Sequence, residues 1–246
     1  GVSLIAIDEA HCVSEWGHDF RTSYLNLGKN SRNFCSSQGY VPPVMGLTGT
    51  ASRSVLKDVK RELDIMDFDA LITPSSFDRK ELKFKVFECA SEEKAARLKG
   101  IMEMLPGSFG KDRTSFYHPK SAKSGIVFCP HVNGDFGTVS VANKIANDMG
   151  IATRHYSGKR PTYFGSGNWD DVKRETAKGF KRDNFQTLVA TKAFGMGIDK
   201  PNIRYTVHYS IPNSIESFYQ EAGRAGRDGS TAFCYIIASN DQPQRA

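Results

Sequence analysis

The sequence predicts an α/β protein, with parallel doubly wound sheets flanked by helices in two lobes. Short apolar runs alternate with helical stretches along most of the chain, the pattern of strand–helix–strand units. Turn residues bound most of these runs. One polar, proline-containing stretch, TPSSFDRK from Thr73 to Lys80, divides the chain and reads as a linker.

In the first lobe, Ser3–Ile7 reads as a buried strand, and Val44–Leu47 as a second, bounded by Pro42-Pro43 and Thr48-Gly49-Thr50. Between Ser52 and Leu63, residues Val55, Leu56, Val59 and Leu63 fall on one helical face, with Ser52 or Ser54 placed to cap it. Ala70–Thr73 reads as a short strand. In the second lobe, strands are expected at Leu82–Phe87, Gly125–Cys129, Ala152–Tyr156, Thr187–Ala190, Tyr205–Tyr209 and Ala232–Ile237. Helices are expected at Glu92–Leu105, Ser140–Met149 with Gly150 as its C-cap, Trp169–Phe180 and Ser214–Ala222. Pro106–Ser124, rich in Gly, Ser, Lys and aromatics, reads as a long surface loop, and Pro161–Gly167 as a shorter one. The boundaries follow: residues 1–75 form the first lobe and 76–246 the second.

Composition narrows the function classes. The 246 residues are 39% hydrophobic and 24% charged, ordinary for a globular protein. No apolar run approaches the ~18 residues needed to span a bilayer, so no membrane partner is expected, and no leader pattern signals secretion. The five cysteines are scattered without a C-x-x-C pair, which argues against a zinc ribbon or disulfide framework and for a reducing compartment. The net charge of +6 is compatible with a polyanionic partner and equally with a solvated basic surface. The chain begins inside an expected strand, without Met, and reads as a piece of something longer.

The chemistry starts where the first strand ends. Asp8 and Glu9 follow Ser3–Ile7 directly, and ligands of open α/β sheets bind outside the carboxyl ends of strands. An acid there can hold a nucleotide's magnesium, and its neighbour can polarise an attacking water. The bland alternative is an exposed acid pair at a turn. D-E-A-H is not H-E-x-x-H, so a zinc protease fails on spacing. A loop holding Trp16, His18, Phe20 and Arg21 follows; aromatic faces there can stack on unpaired bases, or they can be ordinary core residues. Near the other end, Gln220–Arg227 sets Arg224 and Arg227 among small residues at a helix end, and guanidinium groups suit phosphate oxygens. Gly195-Met196-Gly197-Ile198-Asp199 is a tight turn after an expected strand.

In order along the chain, IDEAHCVSEWGHDFRTSYLNLG resembles the Walker B segment and aromatic-rich loop of RecQ-family DNA helicases, and GLTGTAS their motif III. SSFDRKEL resembles the entry to their second lobe, SGIVFC motif IV, VATKAFGMGIDKPNIRYTVHYSIP motif V, and SIESFYQEAGRAGRDG motif VI. The resemblance runs nearly end to end and is weakest over Glu88–Ser124. It implies RecA-like lobes, the first partial and the second complete. It also implies an enzyme using ATP and Mg2+ to move 3′ to 5′ along single-stranded DNA and unwind forked duplexes in repair and recombination.

By this resemblance Asp8 binds the metal, Glu9 activates water, and Arg224 and Arg227 reach the terminal phosphate. Gly195, Gly197, Asp199 and Gln220 face the nucleotide. His11, Trp16, His18, Phe20, Arg21, Thr48, Thr50, His155 and Thr191 contact DNA or couple it to hydrolysis. For His155 a structural role is the competing reading, and Trp169 reads as packing. The family usually has Ala where Gly49 stands. The expected location is the cytoplasm at a bacterial nucleoid, or a eukaryotic nucleus.

A phosphate-cradling loop would read G-x-x-x-x-G-K-[ST]. None of Gly28-Lys29-Asn30, Gly110-Lys111-Asp112 or Gly158-Lys159-Arg160 fits. The phosphate loop and adenine-reading segment are therefore expected before Gly1, and zinc-binding and winged-helix parts beyond the last residue. The 246 residues alone are expected to contact nucleic acid without turning over ATP. A helicase-like binding module is the competing class, and a metal hydrolase using the acid pair alone is a third.

Overall fold

The computed structural model describes residues 1–15, 24, 26–49, 51–73, 78–118, 121, 123–194, 198–239 and 241. They fall into two compact units, Gly1–Asp78 and Arg79–Ala246.

In unit 1, strands β1 (Ile5–Ile7) and β2 (Val44–Gly46) pair in parallel, Ile5 opposite Val44 and Ile7 opposite Gly46. Helices α1 (Cys12–Glu15), α2 (Leu27–Cys35) and α3 (Arg53–Glu62) accompany them. Ser52 caps α3, its Oγ accepting the Val55 N–H at 3.3 Å. Of the expected apolar stripe of α3, Val55, Val59 and Leu63 are buried and pack with Ile7, Ala10 and Val13, whereas Leu56 is half-buried. At the far end of α3, Arg32 of α2 donates from Nη2 to the carbonyls of Leu63 (2.8 Å) and Asp64 (2.9 Å). This meets carbonyls that a helix end leaves without partners.

Two expectations in unit 1 are corrected. The first strand is shorter than Ser3–Ile7 and buried on one face only. Ile7 faces the helices, whereas Leu4, Ala6, Met45 and Leu47 lie exposed, because the cluster of helical side chains covers one side of the two-stranded sheet. Ala70–Thr73 is not a strand. Phe68–Ala70 is a 3-10 turn, and Leu71 and Ile72 are 48% and 95% exposed with no strand beside them among the described residues.

Unit 2 is a six-stranded, all-parallel sheet in the order β3-β8-β7-β4-β6-β5. Its strands are β3 (Leu82–Glu88), β4 (Ser124–Phe128), β5 (Thr153–Tyr156), β6 (Thr187–Ala190), β7 (Ile203–His208) and β8 (Ala232–Ala238). A strand was expected at each of these places, at β3 from alternation. Strands β4, β6 and β7 are buried along their whole length, as parallel strands covered on both faces must be. Side-chain alternation splits the interior in two. Val127, Val189, Tyr205 and Val207 face α4 (Lys94–Ser108), α5 (Arg113–Phe116) and α6 (Thr138–Met149). Ile126, Phe128 and Leu188 face α7 (Trp169–Lys181) and α8 (Ile215–Ala222), joined by Ile203, which lies before the register shift between β4 and β7. Gly150 caps α6 in the left-handed conformation (φ 62°), as its position in the sequence predicts.

The expected surface loop at Pro106–Ser124 is the main correction. Helix α4 runs through Pro106 to Ser108, α5 follows, and Phe116 and Tyr117 are buried core residues. Proline has no N–H to give the carbonyl four residues earlier. The Tyr117 hydroxyl supplies that donor, reaching the Met102 carbonyl at 2.7 Å. No helix among the described residues is long and apolar enough to cross a membrane.

Candidate functional site

Asp8 and Glu9 stand exposed at the carboxyl end of β1. Glu9 takes φ 51°, a left-handed backbone uncommon outside glycine, and its N–H donates to Asp8 Oδ1 at 2.9 Å. The Ala10 N–H then bonds the Leu47 carbonyl at 2.8 Å, so the acid turn is clipped to the segment leaving β2. That segment brings Thr48. Nδ1 of buried His11 lies 3.0 Å from Thr48 Oγ1 and 3.3 Å from Glu9 Oε2. One ring nitrogen thus faces both an exposed acid and a threonine 37 residues away. Of the other unit 1 residues singled out from sequence, Trp16, His18, Phe20, Arg21 and Thr50 lie outside the described residues.

In unit 2 the expected residues divide between the two ends of the sheet. His155 and Thr191 are at the carboxyl ends of β5 and β6. The Thr191 N–H donates to the Tyr156 carbonyl at 3.2 Å. His155 sits edge-on to the Trp169 ring at 5.7 Å, its Nε2 is buried without a hydrogen-bond partner, and burial holds its pKa below the ordinary histidine value. Trp169 is itself buried and donates from Nε1 to the Ser157 carbonyl at 3.0 Å.

Asp199, Arg224 and Arg227 gather instead around the amino ends of β7 and β3. Helix α8 ends at Ala222 and the chain turns through Gly223–Arg227. Gly226 has φ 64°, and its N–H bonds the Ile203 carbonyl at the start of β7 (3.0 Å). Arg227 emerges 40% exposed and pairs with Asp199, Nη1 to Oδ1 at 3.2 Å. Arg224 is buried, and Gln220 is exposed on the last turn of α8. The structure therefore brings Asp199 and Arg227 together, 28 residues apart in sequence. Gly195 and Gly197 lie outside the described residues.

Sequence reasoning missed the residues that hold this turn in place. Arg79, just before β3, donates to the carbonyls of Gly223 (Nη1, 3.4 Å) and Ala225 (Nη2, 3.0 Å) and to the Glu81 carboxylate. Arg204 of β7 pairs with Asp228. Buried His208, at the end of β7, meets Glu221 of α8, Nε2 to Oε2 at 2.9 Å, and stacks on Phe128 at 5.0 Å. These partners lie far apart in the chain or across elements, and no local spacing announces them.

Residues 111–229 match the model of the helicase conserved C-terminal domain. The chain is 38% identical to ATP-dependent helicase wrn-1 of Caenorhabditis elegans, covering 96% of this chain and 20% of that protein. It is 37% identical to ATP-dependent DNA helicase RecQ of Haemophilus influenzae (92% of this chain, 31% of that protein). The same protein of Bacillus subtilis is also 37% identical (97% and 34%). Over nearly its whole length the chain is similar to RecQ helicases. It spans about a third or less of the length of these relatives.

Among solved structures, Mss116p bound to ssRNA and AMP-PNP superposes with TM-score 0.67 at 18% identity, covering 98% of this chain and 44% of that one. Dbp5 of S. cerevisiae, bound to RNA and ADP BeF3, gives TM-score 0.64 at 14% identity, covering 98% and 54%. At those identities the likeness establishes the fold: parallel sheets flanked by helices, of RecA-like type.

Proposed function

We propose that this chain carries the acid and the arginine motifs of a RecQ-type DNA helicase, which couples Mg-ATP hydrolysis to 3′–5′ movement on single-stranded DNA and to unwinding of forked duplexes. Unit 1 corresponds on this reading to the back part of the first lobe and unit 2 to the second. The observation that carries the proposal is the Glu9–His11–Thr48 contact. A water-activating acid at a strand end is joined, through one buried imidazole, to a threonine leaving the neighbouring strand. A change at Thr48 thereby reaches the acid within two side-chain contacts.

The donor set fits magnesium carried with a nucleotide. Among the described residues no cluster of three or more His, Cys, Asp or Glu side chains exists that would hold a metal unaided. Asp8 offers a single exposed carboxylate, and magnesium is commonly held by one or two carboxylates together with substrate phosphates. Magnesium so held would neutralise charge on the phosphates. Glu9 orients and deprotonates the attacking water. Arg227 meets the terminal phosphate's developing negative charge, exchanging its Asp199 partner for phosphate oxygens, and Arg224 supports the same turn. At the other end of unit 2, Thr191 and the strand end bearing His155 face the nucleic acid. The phosphate-binding loop is supplied from outside these 246 residues.

The test compares ATP turnover, with and without single-stranded DNA, for this chain, for the chain extended upstream, and for the extended chain carrying Glu9→Gln. The expected result is DNA-stimulated turnover by the extended chain only, reduced by about 10²-fold or more in Glu9→Gln, the scale of a lost general base. Full turnover by Glu9→Gln overturns the assignment of the base. An extended chain that folds and hydrolyses nothing overturns the helicase reading in favour of a binding module.

A further inference from the structure

We propose that Arg79 is a positioning residue for the arginine turn, acting on phosphoryl transfer through Arg224 and Arg227 without itself touching nucleotide. The proposal rests on the role given to those two arginines above. Helix α8 ends at Ala222, and a helix end leaves its last carbonyls without intrahelical partners. The two carbonyls that Arg79 engages, Gly223 at 3.4 Å and Ala225 at 3.0 Å, belong to the residues on either side of Arg224. A guanidinium is a planar fork, so two donors on two carbonyls fix the orientation of the turn as well as its distance.

The fork is itself fixed. Its Nε donates to Glu81, and that hydrogen bond holds the Glu81 carboxyl below the usual carboxylate range. Glu81 also closes on the turn from the other side: a Cβ at Gly226 would lie 3.0 Å from Glu81 Cγ and from the Ser230 carbonyl oxygen. With Gly226 bonded to Ile203, the peptide units from Gly223 to Gly226 are held at both ends, and Arg227 leaves from a fixed base toward Asp199. Arg79 is also the first residue of unit 2, so the turn is tied to the point where the chain enters that unit.

A residue that merely stabilised unit 2 would alter melting and leave catalysis per folded molecule untouched. The experiment uses the full-length protein, with Arg79→Ala, Arg79→Lys, Arg227→Ala and the Arg79→Ala/Arg227→Ala pair. DNA-stimulated ATP turnover per folded molecule and amide exchange of residues 223–228 are measured for each. Lysine keeps the charge and folds where alanine fails, but has no fork.

Both Arg79 variants are expected to lose up to about 10²-fold in kcat with KM for ATP little changed, the scale of an ångström-level misplacement of a catalytic group. They are expected to speed exchange in 223–228 while β5 and β6 exchange as in the wild type. In the Arg227→Ala background, Arg79→Ala is expected to cost markedly less, the remainder acting through Arg224. Unchanged exchange at 223–228 overturns the proposal. So does a kcat loss that persists undiminished in the Arg227→Ala background, or full activity of Arg79→Lys. A wild-type protein without ATP turnover overturns the reading of the arginines and the catalytic half of this proposal together, while the exchange rates still decide whether Arg79 holds the turn.

Discussion

Pro106 illustrates how a single residue misdirects a local reading. In sequence it announces the end of a helix, because a helix-interior proline forfeits a hydrogen bond and crowds the preceding turn. Here the helix continues, since the Tyr117 hydroxyl gives the Met102 carbonyl the hydrogen bond that Pro106 cannot. Burial pushes the Tyr117 pKa up, so the phenol keeps its proton as donor. Tyr117→Phe is expected to destabilise the protein by about 1–3 kcal/mol, the cost of a buried acceptor left unmet. In a Pro106→Ala background, where residue 106 regains its N–H, the same change is expected to cost less. Urea titrations of the four proteins check this, and an equal cost in both backgrounds sinks it. The hydroxyl lies 11 residues beyond the proline, outside any helical spacing, which is why the stretch read as a loop. Asp8 and Glu9 were legible for the opposite reason: an apolar strand ending in two acids is a local pattern with local chemistry. The contact from Glu9 through His11 to Thr48 depends on the pairing of β1 with β2, which no spacing along the chain encodes.

At the scale of elements, β4, β6 and β7 were readable because each is a largely apolar run buried along its whole length, and β3 because its residues alternate like a half-covered strand. Their side-by-side order was not, because it depends on which helix crosses which face. Where one helix ends and two strands begin, one carboxylate joins them. Asp183, just past α7 and in a left-handed conformation (φ 58°), accepts hydrogen bonds from Lys200 (2.6 Å), Ser124 (2.9 Å) and Asn202 (3.1 Å). It thereby ties the exit of α7 to the starts of β4 and β7. Burial raises the Asp183 pKa, but the hydrogen bonds from Lys200, Ser124 and Asn202 outweigh it, and the net position is below the usual aspartate value. A carboxyl depressed in the folded state contributes stability that is fully present above its unfolded pKa of about 3.9 and is lost as pH falls through the folded value. Asp183→Asn is therefore expected to lower stability at neutral pH. Its deficit against the wild type is expected to shrink as pH falls below about 4. Unfolding free energies measured from neutral to acid pH test this, and a deficit independent of pH would show that Asp183 acts by shape alone.

For the molecule as a whole, the two units differ in how completely each encloses its own core. Unit 2 buries both faces of its sheet at β4, β6 and β7, and its two clusters of apolar side chains draw on helices α4 to α8 and on the strands between them. Unit 1 has two paired strands among the described residues and a single cluster on one side of them. Its other sheet face carries Leu4, Met45 and Leu47 at 49%, 40% and 46% exposure. An isolated two-stranded sheet is marginal in water, and three or more strands with a covered face are the usual minimum. The polar stretch at Thr73–Lys80 marked a division in the sequence, but this asymmetry was invisible there, because an apolar run looks the same whether one face or both are covered. Residues 79–246 produced alone are expected to show a single cooperative urea transition and a dispersed amide spectrum. Residues 1–78 alone are expected to bind a hydrophobic dye and to unfold without a cooperative transition. The opposite result for 1–78, a sharp transition without dye binding, would mean that α1, α2 and α3 suffice to stabilise the acid-bearing strand. The Glu9–His11–Thr48 contact would then be preformed without any further chain. If instead 1–78 is unfolded alone, the acid site takes shape only when more sheet is added beside β1 and β2, and the geometry at Glu9 becomes a property of the assembled lobe.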